Sequence, residues 1–403
     1  MGSRITSTSS TSAWVGYEMR EAVIVEAVRT PIGRRGGGMS EIHPVDMSAH
    51  VLISLISRTG IAPSDVDDVV WGCVTQLGDQ SGNVGRFAVL AAGWPEEIPG
   101  VTVNRACGSS QQAVEFAAMG IMSGRYDVVV AGGVETMSRV PLGATRAVGF
   151  PYGPAMSARY PGVTFEQGAG AEMMAERWNL SREQLDEFAL QSHRRAGDAT
   201  SAGAFDGQLV PMSDVSDLRS DEGIRPDSSM EKLAGLRTVF KDDGVVTAGN
   251  SSQISDGAAA LLMMTPERAA ELGLTPLARV HSGVAVGADP AIVLSGPIAA
   301  TQKLIARSGV ALEDVGVFEV NEAFATVPLA WLADTGADPS KLNPLGGAIA
   351  VGHPLGASGA ILMTRMIHHM KAEGLRYGVQ TVCEAGGTAN ATLIELIEKG
   401  TSR

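Results

Sequence analysis

Cysteine is scarce in this chain: three of 403 residues, Cys73, Cys107 and Cys383, set far apart. An odd number, with no C-x-x-C pair and no histidine at ligand spacing, argues against a disulfide framework or a structural zinc site. Such usage fits a reducing cytoplasm. Basic residues are also in deficit, 31 Lys and Arg against 44 Asp and Glu. The resulting net charge of −13 argues against general binding to nucleic acid or anionic membranes, which demand a positive face. No apolar run approaches the roughly 18 residues of a membrane span, so the chain reads as soluble. Hydrophobic residues at 44% and charged residues at 19% are ordinary for a globular protein, and the length suggests two or three domains.

The first residues, G-S-R-I-T-S-T-S-S-T-S, are almost all Ser and Thr and lack the apolar stretch of a secretory signal. Residues 1–19 read as a disordered extension or tag, with a natural start at Met19. Beyond them, apolar runs at 22–28, 66–74, 127–133, 315–320 and 379–383 alternate with helical patterns such as Gln111 to Ser123 and Ala360 to Lys371. That alternation predicts an α/β protein with covered sheets.

Two passages share one order of features. Residues 107–133 and 352–387 each run from a Gly/Ser turn through a helix to R-Y, a strand and A-G-G. A duplicated half is expected, with two related sheets whose equivalent loops meet at one site. The division falls into an N-terminal half at 20–285 and a C-terminal half at 286–403, with an insertion at about 138–245. That insertion includes a helical stretch from Ala169 to Ala196. From Arg139 to Lys241 it carries 12 Lys and Arg against 14 Asp and Glu, so −11 of the net charge lies elsewhere. A polyanionic ligand is most easily held there.

Cys107 stands in N-R-A-C-G-S-S, between a strand end and a helix start. The positive end of a helix and its unpaired N–H groups favour a thiolate, which makes this a nucleophile's position. Gly108 lets a substrate carbonyl approach the backbone, and Ser109 or Ser110 is available to cap the helix. A Cys before a helix is also often a small buried hydrophobe. His353, in G-G-A-I-A-V-G-H-P-L-G-A-S-G, sits in a loop and is not expected in the core. It could accept the Cys107 proton or hydrogen-bond an oxyanion. His368 and His369 read as solvent-facing helix residues. Cys383, in V-C-E-A-G-G-T-A-N, enters a Gly-rich turn able to form an anion nest and could act as acid and base. Cys73 reads as packing. Asn321, in V-N-E-A-F-A-T, suits positioning of a water or carbonyl, although buried Asn and Glu need hydrogen bonds.

Taken together and in this order, N-R-A-C-G-S-S (104–110), N-E-A-F (321–324), G-H-P-L-G-A-S-G (352–359) and C-E-A-G-G (383–387) resemble the signature blocks of the thiolases. V-R-T-P-I-G (28–33), G-G-V-E-T-M-S (132–138) and T-A-G-N-S-S-Q-I-S-D-G-A-A-A (247–260) extend the resemblance over nearly everything after Met19. It implies a duplicated five-layered α/β/α/β/α fold with an inserted loop domain, and a homodimer or homotetramer. It also implies reversible thiolysis of 3-oxoacyl-CoA, or the reverse Claisen condensation, through an acyl-Cys107 intermediate. His353 would activate that thiol and, with a water held by Asn321, line one oxyanion hole. The backbone N–H groups of Cys107 and Ala385 would line the other. Cys383 would move the proton at the α-carbon. Coenzyme A is the implied substrate, with Arg225, Ser252 and Phe324 as contacts by motif position, and no metal is called for.

The chain departs from the common C-x-G-G-G-x-G pattern at Ala385, and Gln167 and Val293 replace methionines of many short-chain members. N-P-L-G-G at 343–347 is more like degradative 3-ketoacyl-CoA thiolases than biosynthetic acetoacetyl-CoA thiolases. Two further readings stand beside these. Decarboxylating ketoacyl synthases would need a histidine where Cys383 stands, and a non-catalytic thiolase-like lipid-binding protein should have lost a reactive group.

Overall fold

Period-two alternation of branched and small residues builds the strands. A computed structural model describes residues 20–397; the expected extension at 1–19 lies outside the described residues. The N-terminal part contains β1 (Val23–Arg29), β2 (Gly33–Arg34), α1 (Pro44–Thr59), β3 (Asp68–Gly72), α2 (Val84–Ala91), β4 (Gly100–Val103), α3 (Ser109–Met122) and β5 (Val128–Thr136). The middle carries α4 (Pro154–Arg159), α5 (Gln167–Arg177), α6 (Arg182–Ser201) and α7 (Met230–Ala234). Next come β6 (Ser255–Met264), α8 (Pro266–Glu271), β7 (Ala278–Gly287), α9 (Gly296–Ser308), β8 (Val317–Val320) and α10 (Thr326–Thr335). Last are α11 (Ala348–Val351), α12 (Ser358–Glu373), β9 (Tyr377–Glu384) and β10 (Thr388–Leu396).

The strands follow the order β4-β3-β5-β6-β1-β7-β10-β9-β8. In each half a parallel pair (β3 with β5, β8 with β9) is followed by antiparallel partners (β6 then β1, β10 then β7). Among the described residues the two half-sheets join through the short ladder of Val23 with Arg279 and Ile24 with Ala278. Because β7 pairs along its length with β10, the seam lies between β6 and β7, earlier than the expected division at 285.

Alternation then sorts side chains into layers. Val128 and Val130 face the core under α1 and α2, whereas Val129 and Ala131 face α3 and α12. The second half-sheet sends Val317 and Ile394 toward α3 and α12, and Val379, Ala391 and Leu393 toward α9 and α10. Five layers result: α1/α2, half-sheet, α3/α12, half-sheet, α9/α10. The duplicated α/β/α/β/α arrangement expected from the motifs is present.

The central pair α3 and α12 touches backbone to backbone. A Cβ on Gly359 would meet Gln111 N at 2.3 Å, and Ala360 N donates to Ser110 Oγ at 2.9 Å. The N-termini of both helices therefore sit side by side. The expected helix from Ala169 to Ala196 is instead α5 and α6, broken at 178–181, where Ser181 and Gln184 form a capping box that starts a new helix.

Candidate active site

Cys107 lies in the turn that feeds α3. Asn104 Oδ1 accepts from Ala106 N at 2.9 Å, and Ala106 adopts the left-handed conformation, φ 45. This strained position sets Cys107 one residue before the helix N-cap, which is Gly108. Neither serine caps the helix as expected. Ser109 Oγ accepts from Arg105 N, and Ser110 Oγ is engaged by α12.

Nor is the thiol poised as a thiolate. Burial, then the carboxylates of Glu384 and Glu135, push Cys107 up to about 12, which outweighs the helix end. Cys383, at the end of β9, is raised well above its usual value by burial and then by Cys107. The two thiols are therefore near enough for a charge on one to disfavour charge on the other. Cys107 packs in a small cluster with Leu355, two residues after His353, and Val382, next to Cys383.

His353 is 3% exposed, not a solvent-lined loop residue as expected, and burial lowers it to about 4. It is a neutral imidazole at working pH. Its tautomer follows from hydrogen-bond accounting. Ser358 Oγ has one hydrogen, and it goes to the Pro354 carbonyl at 2.9 Å, which can only accept. With the hydroxyl so assigned, Nδ1, 2.6 Å from the same Oγ, carries the imidazole proton. Nε2 is left with a lone pair, and Asn321 Nδ2 lies 3.3 Å from it. Asn321 Oδ1 is buried without a partner among the described residues, and Asn321 N donates to Thr381 O, two residues from Cys383.

Buried carboxylates lock these loops together. Glu135 accepts from Val74 N, Thr75 N, Gln80 Nε2 and Gly356 N, so it ties the Cys73 turn to the His353 loop. Glu322, the residue whose desolvation required partners, has them: Ser192 Oγ at 2.6 Å, Asn343 Nδ2 at 2.9 Å and Ile349 N at 3.2 Å.

These two thiols, the imidazole and the asparagine sit on a duplicated fold, and the comparisons bear on that fold and its family. Residues 22–267 match the thiolase N-terminal domain and residues 274–396 match the thiolase C-terminal domain. The chain belongs to the thiolase family. It is 49% identical over 389 residues to the steroid 3-ketoacyl-CoA thiolase FadA6 of Mycobacterium tuberculosis, covering 94% of this chain and 95% of that protein. A 3-ketoacyl-CoA thiolase of Pectobacterium carotovorum is 43% identical over 391 residues, covering 94% of this chain and all of that protein, 100%. The crystal structure of the Bacillus anthracis acetyl-CoA acetyltransferase superposes with a TM-score of 0.86 at 38% identity, over 94% of this chain and 100% of that one.

In this thiolase Ala385 follows β9 without a positive φ; the left-handed positions fall on Gly386 and Gly387. A Cβ is therefore tolerated at 385, and the Ala385 N–H donates no hydrogen bond of ordinary geometry to another described residue. Ser252 N donates to Ala323 O beside Phe324, whose ring meets Phe240 edge-on at 5.9 Å. Arg225 is exposed, its backbone N–H donating to His193 Nδ1 at 3.1 Å. Cys73 is fully buried, in keeping with packing. His368 and His369 are half-buried rather than solvent-facing, and His368 Nε2 is 3.1 Å from the Ala27 carbonyl. Sequence reasoning missed Ser358, Glu135 and Glu384, because an isolated Ser or Glu inside a motif does not reveal which loop it grips.

Proposed function

We propose that this thiolase cleaves 3-oxoacyl-CoA with coenzyme A, reversibly, through an acyl-Cys107 thioester. Sulfur of Cys107 attacks the 3-oxo carbon as its proton passes to His353 Nε2. The C2–C3 bond then breaks, the acyl group stays on Cys107, and Cys383 protonates the carbanion of the leaving acetyl-CoA. The thiol of coenzyme A finally takes the acyl group from Cys107, its own proton passing to the Cys383 thiolate while the His353 proton returns to the Cys107 sulfur. Moving an acyl group between sulfurs keeps intermediate and product close in energy. The observation that carries this reading is that two buried, mutually coupled thiols come from opposite sequence halves, Cys107 clustering with Leu355 of the His353 loop, while His353 Nε2 lies 3.3 Å from Asn321 Nδ2.

Oxyanion stabilisation is assigned to His353 with a water on Asn321, and to the N–H groups of Cys107 and Ala385. One such donor contributes roughly 2.7–4 kcal/mol. Arg225, Ser252 and Phe324 are assigned to coenzyme A, with its nucleotide end along the 138–245 segment. The names of the relatives favour 3-oxoacyl-CoA degradation over acetoacetyl-CoA synthesis. Free cysteines favour the cytoplasm, and no described helix is long and apolar enough to cross a membrane. Exposed Phe87, Val101, Phe116 and Met119, beside the edge strand β4, favour a homodimer or homotetramer.

Intact-mass and peptide mass spectrometry test the assignment. Acetyl-CoA or acetoacetyl-CoA should add one acetyl group to Cys107. Cys107→Ala should lose that label, and Cys383→Ala should keep it while failing to condense. Labelling elsewhere, or none with wild-type protein, refutes the reading.

A further inference from the structure

The side of Gly108 that faces β9 is filled by a carboxyl group. A Cβ on Gly108 would lie 2.1 Å from Glu384 Oε1 and 3.0 Å from Asn390 Oδ1. Both oxygens are buried, and neither receives a hydrogen bond from the described residues. The other Glu384 oxygen accepts from Thr388 Oγ1 at 2.6 Å, and Asn390 Nδ2 donates to the Gly108 carbonyl at 3.3 Å. Arg105, in the loop before Cys107, is the cation that acts on Glu384, yet its Nε has no acceptor and no ion pair joins the two. Glu115 on α3 and the thiols Cys107 and Cys383 complete the titratable groups around the carboxyl. Two acceptor oxygens thus meet beside the nucleophile's backbone with no donor between them. A proton on Glu384 supplies that donor.

We propose that Glu384 is a positioning residue whose neutral acid form permits Cys107 to ionise on attack, and whose carboxylate form holds Cys107 as a thiol. The proposal rests on Cys107 being the nucleophile. Its physical basis is that a buried negative charge disfavours a second one beside it, whereas a neutral acid leaves the sulfur free to develop charge. Burial raises Glu384 to about 7, despite the Thr388 hydroxyl and Arg105. Raising the pH through that value therefore places a charge next to Cys107 over a range in which rising pH would otherwise increase its small thiolate fraction. Cys107 reactivity should climb less steeply with pH than that of a thiol titrating alone.

Alkylation by iodoacetamide, followed at the Cys107 peptide by mass spectrometry between pH 6 and 9, reads this directly. Acetyl transfer from acetyl-CoA to Cys107 is measured in parallel. Glu384→Gln mimics the neutral acid. It should be alkylated about 3- to 10-fold faster than wild type at pH 8, on the order of half to one pKa unit, with the difference vanishing toward pH 6. Thr388→Val removes a donor that favours the carboxylate and should give a smaller acceleration in the same direction. Glu384→Gln rates within about twofold of wild type at pH 8 overturn the proposal; if that variant fails to fold, Thr388→Val decides, and a rate no faster than wild type at pH 8 overturns it. Acetyl labelling of Cys107 with no difference in alkylation sinks the Glu384 role alone, whereas absence of acetyl labelling in wild type sinks the nucleophile assignment and the proposal with it.

Discussion

Replacing Ser358 by alanine removes the group that fixes the His353 tautomer while leaving every residue assigned to bond making in place. In the wild type Nδ1–H donates to Ser358 Oγ at 2.6 Å, and that hydroxyl donates onward to Pro354 O. Without it, Nδ1–H is buried with no acceptor, which costs about 1–3 kcal/mol. The ring can recover that loss by moving its proton to Nε2, where the lone pair is needed. At about 1.4 kcal/mol per tenfold, the population competent to accept the Cys107 proton should fall by roughly 5- to 150-fold. The assay is the single-turnover rate of Cys107 acylation by acetoacetyl-CoA, with KM for coenzyme A measured alongside. The expected result is a slow acylation step with KM little changed. Since burial already lowers His353 to about 4, the loss of acylation caused by protonating His353 should appear as pH falls toward that value. A Ser358→Ala rate within twofold of wild type, with melting temperature preserved, would refute the tautomer argument.

Glu115 should give a pH-dependent stability signature. Burial raises its folded-state value to about 7, above the ordinary carboxylate, so the stability it contributes is full below pH 4.5 and is lost as pH rises through 7. Glu115→Gln should therefore gain in melting temperature relative to wild type between pH 5 and pH 8; a difference constant with pH would contradict this. Asp221 pairs with buried Arg29 at 2.7 and 3.0 Å and accepts from Ile32 N at 2.9 Å. Asp221→Ala should lower unfolding stability by about 3–5 kcal/mol in urea titrations, because it strands a buried guanidinium; a loss under 1 kcal/mol would show that solvent reaches it. Gly108→Ala should cost about 1–3 kcal/mol through overpacking against Glu384 and slow acylation, and unchanged stability and rate would show that the carboxyl yields freely.

The α/β class and the repeated turn-helix-strand unit were legible in the chain because they depend on local pattern, and the four residues to which the chemistry is assigned were picked out on the same ground. Apolar alternation sets strand faces, and Gly-flanked Cys and His announce exposed backbone at functional turns. The protonation states were not legible. A helix N-terminus just after Cys107 argued for a thiolate, and a loop around His353 argued against a core position. Burial reversed both, because the desolvation of each group depends on residues hundreds of positions away.

Sequence alone therefore determined which chemical groups this thiolase carries and in what order, since motif spacing and hydrophobic period are one-dimensional properties. Only the tertiary structure decided which nitrogen of His353 holds the proton, that both thiols rest protonated, and that Glu384 and Asn390 crowd Gly108. Those outcomes hang on distances of a few ångströms between loops from separate halves, and Coulomb and desolvation energies vary most steeply over that range.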